Sequence, residues 1–111
     1  MTPRSSIDLN ADVGEGSGFD GELIPLVSSV NIACGAHAGD EAAMREAVAL
    51  ALRHKVAIGA HPGFADRENF GRTEIAINPV AAAALVVGQT RVLQGIAAEL
   101  GARVGHVKLH G

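Results

Sequence analysis

The chain has 111 residues, which predicts one domain, and its 48% hydrophobic and 19% charged residues predict a folded chain. Its net charge of −3 comes without any cluster of Lys or Arg, which argues against nucleic-acid binding and against binding to an anionic membrane. The single cysteine, Cys34, cannot form an internal disulfide, and no apolar run has the length of a signal peptide or a membrane span, so we expect a cytoplasmic protein.

The first third of the chain predicts two short strands on either side of a glycine-rich loop. Ile7 to Asn10 is the first predicted strand, and the loop ADVGEGSGFDG follows it. The apolar segment ELIPLVSS contains Pro25, which favours a short or irregular helix. Val30 to Gly35 is the second predicted strand.

A regular helix is predicted over EAAMREAVALALRH, residues 41–54, with Asp40 as its N-cap. Its apolar residues recur at i, i+3 and i+4, which predicts one buried face. That face consists of Met44, Ala47, Val48, Ala51 and Leu52. The next segment, VAIGA at 56–60, is apolar without alternation, as is typical of a strand buried on both faces.

A long helix is predicted from the N-cap Asn78 and the N1 residue Pro79 to about Leu100, with Gly101 as its C′ residue. Its predicted buried stripe consists of Leu85, Val92, Ile96 and Leu100. The final segment GHVKLHG predicts a fourth strand. The resulting order β-α-β-α-β-α-β predicts an α/β fold with a parallel sheet.

Each predicted strand is associated with side chains that can do chemistry. These are Asp8, Asn10, Asp12 and Glu15 for the first strand; Asn31, Cys34, His37 and Asp40 for the second; His61 and Asp66 for the third; and Lys108 and His110 for the fourth. Functional sites in parallel α/β folds lie at the carboxyl ends of strands, so the set predicts a site there. Carboxylate and imidazole groups from different strands can bind a divalent metal or share acid–base work.

Several of these residues also have a purely structural interpretation. Asp12 and Asp66 are residues that can cap turns, and Asp40 is a helix cap. His54 ends a helix, where a cation is favoured. His106 shares a strand face with Lys108 and His110, but its place near the start of the strand predicts a position away from the site.

Two further motifs favour a structural interpretation. GSGFDG, residues 16–21, matches G-x-G-x-x-G, but Asp12, Glu15 and Asp20 around the loop would repel a pyrophosphate. Cys34 near His37 resembles a nucleophile with its base. Burial as a small apolar residue is the favoured interpretation of Cys34.

Four segments together resemble the LamB/YcsF family, whose members form one of three components, A, B and C, of the prokaryotic ATP-dependent 5-oxoprolinase. They are DLNADVGEG, NIACGAHAGD, GAHPGFADRENFGR and HVKLHG, in that order. The resemblance identifies the chain with component A and implies a (β/α) barrel of the glycoside hydrolase/deacetylase type. It also implies cleavage of 5-oxo-L-proline to L-glutamate with ATP hydrolysis, in the company of partner subunits B and C.

The sequence departs from the family pattern in two respects. Leu109 stands where the family usually has proline, with Lys108 and His110 retained on either side. Family chains continue beyond the equivalent of Gly111, and a complete barrel of this general kind needs about 250 residues. We therefore expect residues 1–111 to form a single partial barrel domain, about the N-terminal half, that alone is inactive and either poorly stable or a homo-oligomer.

The resemblance and the chemistry of the residues together give a hypothesis for the site. The expected catalytic residues are Asp12, His37, His61, Lys108 and His110. The expected substrate-binding residues are Asn10, Glu15, Asp66 and Arg72, although Asp66 and Arg72 also have a structural interpretation as a loop ion pair. A divalent metal held by Asp12, His37 and His61 is the cofactor hypothesis beside ATP. The alternatives are a metal-dependent deacetylase or amide hydrolase that needs no ATP, and a non-catalytic module that binds carbohydrate or a partner.

Overall fold

The computed structural model of the protein describes residues 7–111, so the first six residues of the predicted domain lie outside the described part. The elements follow the predicted order. They are β1 (Asn10–Val13), α1 (Asp20–Leu23), a 3₁₀ turn (Ile24–Leu26), β2 (Ser29–Ala33), α2 (Glu41–Arg53), β3 (Ala57–His61), a second 3₁₀ turn (Arg67–Asn69), α3 (Pro79–Glu99) and β4 (Val104–Val107).

The four strands form one parallel sheet in the order β1-β2-β3-β4. The predicted α/β class and parallel sheet are thereby confirmed. Because every strand runs in the same direction, all four carboxyl ends lie along one edge of the sheet. The register also aligns one residue from each strand in a row across the sheet: Asp12, Asn31, Gly59 and His106.

The predicted bounds of the outer strands were wrong by a few residues. Pairing with β2 begins at Asn10, so β1 lies three residues later than the predicted start at Ile7. Alternation runs from Ile7 to Val13 and does not mark the start of the strand: Val13 lies in the core, whereas Ile7 lies outside the pairing and is 78% exposed. Likewise β4 ends at Val107, before the predicted end of the strand at Gly111.

Both regular helices begin at the predicted caps. The Asp40 carboxylate accepts a hydrogen bond from the Ala43 amide at 2.7 Å, and Asn78 accepts one from Ala81 at 2.8 Å. Gly101 follows α3 with φ +80°, the left-handed conformation expected of a C′ glycine. The expected irregular helix around Pro25 is confirmed as α1 and the first 3₁₀ turn.

The predicted buried faces need two corrections. Leu52 is 45% exposed, although the other predicted residues of the α2 face are buried. In α3, Val92 is 52% exposed and its neighbour Leu93 is fully buried. Leu93, Ile96 and Ala97 have i, i+3, i+4 spacing, so only the C-terminal half of α3 packs closely on the sheet.

The two faces of the sheet differ in polarity. Helices α2 and α3 contact each other and pack on one face, where they cover Val30, Ile32 and Ile58. The opposite face bears the polar side chains of alternate residues, because side chains alternate along each strand. These side chains are Asn10, Asp12, Ser29, Asn31, His61 and His106.

Helix α3 carries a large exposed apolar surface. Val80, Val87 and Val92 are exposed on the helix, and Val107 and Leu109 are exposed beside it. By length and composition alone, the 21-residue helix is apolar enough to cross a membrane, contrary to the expectation from the apolar runs of the sequence. Its C-terminal half nevertheless packs on β3 and β4, as a helix that connects parallel strands does.

Candidate active site

Four side chains from four different chain segments converge at the carboxyl edge of the sheet. Glu15 follows β1, His37 follows β2, His61 ends β3 and His110 follows β4. One candidate ligand atom from each of these residues lies within 4.8 Å of all the others. We call this set the His/Glu cluster. Its three imidazoles and one carboxylate form a donor set that suits a divalent transition metal.

Backbone carbonyls fix the tautomers of two histidines in the His/Glu cluster. His61 Nδ1 lies 2.7 Å from the Lys108 carbonyl oxygen, and His110 Nε2 lies 2.6 Å from the Phe70 carbonyl oxygen. Because a carbonyl oxygen only accepts hydrogen bonds, these ring nitrogens carry the protons. His61 Nε2 and His110 Nδ1 then face each other at 3.2 Å. This arrangement, with the outer nitrogen bonded to a carbonyl, is typical of metal-binding histidines.

His37 is the most enclosed member of the cluster. Its Nε2 lies 2.7 Å from a Glu15 carboxylate oxygen, and its ring stacks on His110 with 3.8 Å between centroids. Burial lowers the pKa of His37 and outweighs the opposing effect of the Glu15 carboxylate, with the nearby His110 adding to the lowering. Its Nδ1 is buried without a hydrogen-bond partner among the described residues. The lowered pKa favours the neutral form of His37, which is the form that binds metals.

Two glycines make room for the His37 ring. A Cβ on Gly63 would lie 2.7 Å from His37 Nδ1, and a Cβ on Gly71 would lie 2.6 Å from His37 Cβ. Gly71 also has φ +69°, which disfavours any other residue. The GAHPGFADRENFGR segment thus wraps around His37 as well as supplying His61.

The side chain of Gln89 holds this segment from α3. Its amide oxygen accepts a hydrogen bond from the Gly63 N–H at 3.1 Å, and its amide nitrogen donates to the Gly63 carbonyl at 2.7 Å. Gln89 was not identified from the sequence, because no pattern distinguishes it from the other polar residues of this helix. It links the position of α3 to the exit of β3.

Asp12 and Lys108 form an ion pair beside the cluster. Lys108 Nζ lies 3.1 Å from both carboxylate oxygens of Asp12, and His61 Nε2 lies 3.4 Å from one of them. Partial burial raises the pKa of Asp12, but the hydrogen bond from Asn31 and the charges of Lys108 and His61 outweigh it and lower the pKa overall. The group of potential metal ligands consists of Glu15, His37, His61 and His110. It differs from the set expected from the sequence, Asp12, His37 and His61, because Glu15 and His110 belong to it and Asp12 lies beside it.

The other residues expected in the site make their contacts outside the cluster. Asn10 bonds to Ser29 and Asn31, toward the amino ends of the strands. The Asp66 carboxylate accepts a hydrogen bond from the Thr73 amide at 3.2 Å, and hydrogen bonding to Thr73 is the main cause of its lowered pKa. No ion pair joins Asp66 to Arg72 within residues 7–111, and Arg72 instead lies 5.2 Å from the centroid of the Phe70 ring.

Arg67 and a neighbouring cavity complete the surroundings of the site. Arg67 donates hydrogen bonds to the carbonyls of Gly35 and Gly39, at 2.9 and 2.7 Å, and so ties two loops together. A cavity of about 350 Å³ lies beside Glu15 and His37. This volume is in the range of pockets for small molecules.

The two motifs given a structural interpretation lack the features of a dinucleotide site and of a reactive thiol. Gly16 to Gly21 leads into a helix of four residues, and the Asp20 carboxylate there accepts a hydrogen bond from the Gly14 amide at 2.7 Å. Cys34 is buried, its thiol donates to the Ile32 carbonyl, and burial raises the pKa of that thiol. A protonated, buried thiol is a poor nucleophile.

The comparisons with known proteins show the family and the fold of the chain. The sequence profile described as the LamB/YcsF family matches residues 7–111. The chain is also similar to the crystal structure of a lactam utilization protein from Thermus thermophilus, with 46% identity and a TM-score of 0.92. The match covers 96% of this chain and 45% of that one, so the chain spans less than half the length of the solved structure. Since the profile covers nearly the whole sequence, the chain belongs to the LamB/YcsF family.

Proposed function

We propose that the chain is part of component A of an ATP-dependent 5-oxoprolinase, which opens the lactam of 5-oxo-L-proline to give L-glutamate. The observation that carries the proposal is the placement of the His/Glu cluster next to the Asp12–Lys108 pair. This edge offers acid–base groups, a cation and a set of metal ligands within one small volume. Family membership and the similarity to a protein described as a lactam utilization protein support the choice of substrate.

The proposed reaction explains why ATP is needed. A five-membered lactam resists hydrolysis at neutral pH. Transfer of the γ-phosphoryl group of ATP to the lactam oxygen, with release of ADP, makes the ring carbon a better electrophile. Water then adds to that carbon, and the C–N bond breaks to free the amine and leave an acyl phosphate. A second water hydrolyses the acyl phosphate, which releases phosphate and yields glutamate. ATP and the partner subunits B and C are part of the proposal because the family resemblance implies them. The assay below tests both.

The residues of the edge have distinct proposed roles. Asp12 is the candidate to accept a proton from the attacking water, and His61, 3.4 Å away, takes that role only in a site where its Nε2 binds no metal. Lys108 is placed to stabilise negative charge on the phosphate or on the oxygen at the reacting carbon. His37 and His110 orient the other groups through their stacked rings. Asn10, Glu15, Asp66 and Arg72 remain the proposed substrate contacts, with Glu15 the nearest to the histidines.

The His/Glu cluster fits a divalent metal by its donor chemistry. Glu15, His37, His61 and His110 would hold the ion, and the carbonyls that bond to His61 and His110 would keep those rings oriented. A metal bound there would polarise a carbonyl or phosphoryl oxygen.

We also propose that the described residues are part of a (β/α) barrel of the glycoside hydrolase/deacetylase type. Among residues 7–111, β4 pairs with β3 alone, and the apolar surface of α3 and Val107 is exposed beside this edge. A further strand and helix would cover both, either from the same polypeptide or from a second copy of the chain. A cytoplasmic location, without nucleic-acid or membrane partners, remains part of the proposal.

A second candidate function is a metal-dependent deacetylase or other amide hydrolase that needs no ATP. The observation that favours it is the donor set itself, because three imidazoles and a carboxylate are sufficient for metal-assisted hydrolysis. It differs from the first proposal in requiring neither nucleotide nor partner subunits.

Glutamate release from 5-oxo-L-proline distinguishes the two proposals. The chain, in its complete polypeptide with subunits B and C, should release glutamate only when ATP is present, with ADP formed alongside. Omission of either partner should abolish the reaction. Release of product from a simple amide without ATP would favour the second function, and no release under any condition would contradict the first.

A further inference from the structure

We propose that His106 is a positioning residue for the Asp12 carboxylate, acting through Asn31. The three residues belong to one row of the sheet, in which Asp12 pairs with Asn31, Asn31 with Gly59, and Gly59 with His106. The inference rests on the proposed function, in which Asp12 and Lys108 take part. It assigns a role to a histidine that lies outside the His/Glu cluster.

His106 reaches Asn31 across an intervening strand. Neighbouring strands are about 4.8 Å apart, so the two residues are separated by about twice that distance. His106 Nε2 nevertheless lies 2.7 Å from Asn31 Oδ1. The imidazole passes over Gly59, where a Cβ would lie only 2.0 Å from Nε2. The contact between His106 and Asn31 therefore requires glycine at position 59.

The hydrogen bond from His106 supports the direction of the Asn31 amide that Asp12 requires. Asn31 is fully buried, and its Nδ2 faces the Asp12 carboxylate, which only accepts, so its Oδ1 faces His106 and His106 Nε2 donates. Asn31 Nδ2 then points toward Asp12 and donates to its Oδ1 at 2.9 Å. A reversed amide would place two oxygens against each other at Asp12, which is repulsive. The reciprocal amide pair with Asn10 favours the same direction, because Asn10 Nδ2 also donates to Ser29 Oγ, whose hydroxyl donates to Asp8.

The direction of the Asn31 amide affects the Asp12 carboxylate at the carboxyl edge of the sheet. The same Asp12 oxygen that accepts from Asn31 also lies 3.1 Å from Lys108 Nζ, and the other oxygen lies 3.4 Å from His61 Nε2. A change in the Asn31 amide would therefore turn the carboxylate that orients both groups. His106 itself makes no contact with the reacting region in this arrangement, so its effect should be on rate more than on substrate affinity.

Three variants test the proposal in the complete polypeptide with its partner subunits. His106→Leu removes the donor, His106→Gln keeps an N–H donor, and Gly59→Ala displaces the ring without changing it. We expect kcat to fall about tenfold in His106→Leu and in Gly59→Ala, with KM changed less than about twofold. His106→Gln should stay within about threefold of the parent, and His54→Leu, at an exposed helix end, should match the parent.

A second measurement keeps the test independent of the lactam reaction. The side-chain amide signals of Asn31, followed by ¹H–¹⁵N NMR, should shift in His106→Leu and Gly59→Ala and stay near the parent position in His106→Gln. Unchanged signals in His106→Leu, or equal losses of kcat in the Leu and Gln variants, would overturn the positioning role. If the parent complex releases no glutamate, the proposed function fails, and the NMR signals still decide whether His106 fixes Asn31. If His106→Leu does not fold, Gly59→Ala decides alone.

Discussion

His61 Nε2 and His110 Nδ1 lie 3.2 Å apart, and the second nitrogen of each ring is bonded to a backbone carbonyl. In two neutral rings so fixed, both facing nitrogens are acceptors, and two lone pairs at this distance repel. The contact is favourable only with a cation between or on the rings, which is either a proton or a metal ion. The Glu15 carboxylate, 3.6 Å from His61, supplies the compensating negative charge.

Metal binding should therefore depend on both histidines. In a titration of the metal-free protein with Zn²⁺ or Mn²⁺, we expect His61→Ala and His110→Ala each to weaken binding by at least about tenfold. His54→Ala is the matched control, because His54 is exposed at the end of α2. Equal affinity in the parent, His61→Ala and His110→Ala would show that the cluster is not the metal site.

The packing of α3 predicts opposite outcomes at neighbouring residues. Leu93→Ala should lower the free energy of unfolding by about 2–5 kcal/mol, because the side chain is fully buried between the helix and the sheet. Val92→Ala, at an exposed position, should change it by less than about 0.5 kcal/mol. Urea denaturation measures both. A larger loss in Val92→Ala than in Leu93→Ala would mean that another face of α3 packs on the sheet.

Asp12 should contribute to stability in a pH-dependent way. Its pKa in the folded chain lies below the ordinary value of 3.8, so the folded state favours the carboxylate. The contribution is present above pH 3.8 and is lost as the pH falls through the lower folded pKa. Denaturation of the parent and Asp12→Asn, both in chelator, should therefore show a difference that shrinks in acid. A difference that grows on acidification would contradict the direction of the shift.

Cys34 should react slowly in the folded protein. Burial both shields the thiol and raises its pKa, so little thiolate is available to an alkylating reagent at neutral pH. Iodoacetamide labelling followed by mass spectrometry should be much slower in native buffer than in denaturant. Equal labelling rates in the two conditions would mean that the thiol is reactive in the folded protein, and Cys34 would again be a candidate nucleophile.

The regular parts of this fold could be predicted because their signals are local. Asp40 and Asn78 each begin a helix by accepting a hydrogen bond from an amide three residues ahead, and both residues were predicted as caps from sequence. The start of β1 depends instead on pairing with β2, which no local pattern in residues 7–13 reveals. The exposure of Val92 has a similar origin, since the packed face of α3 is determined by the sheet it lies on.

The sequence predicted that the candidate site lies at the carboxyl edge of the sheet, but not which carboxylate joins the histidines there. Residues at the ends of parallel strands must meet at one edge, so the convergence of His37, His61 and His110 followed from the strand order. Whether Glu15 or Asp12 joins them depends on the loop after β1, whose path the sequence does not specify. The contact of His106 with Asn31 required the register of three strands and a glycine between them.

We infer that the His/Glu cluster carries the reaction, in which His61 contacts both Asp12 and His110. The most direct test is ATP-dependent glutamate release from 5-oxo-L-proline by His61→Ala in the complete polypeptide with subunits B and C. We predict a fall in kcat of about a hundredfold or more, with His54→Ala unchanged. Glutamate release by His61→Ala at the rate of the parent would contradict the claim.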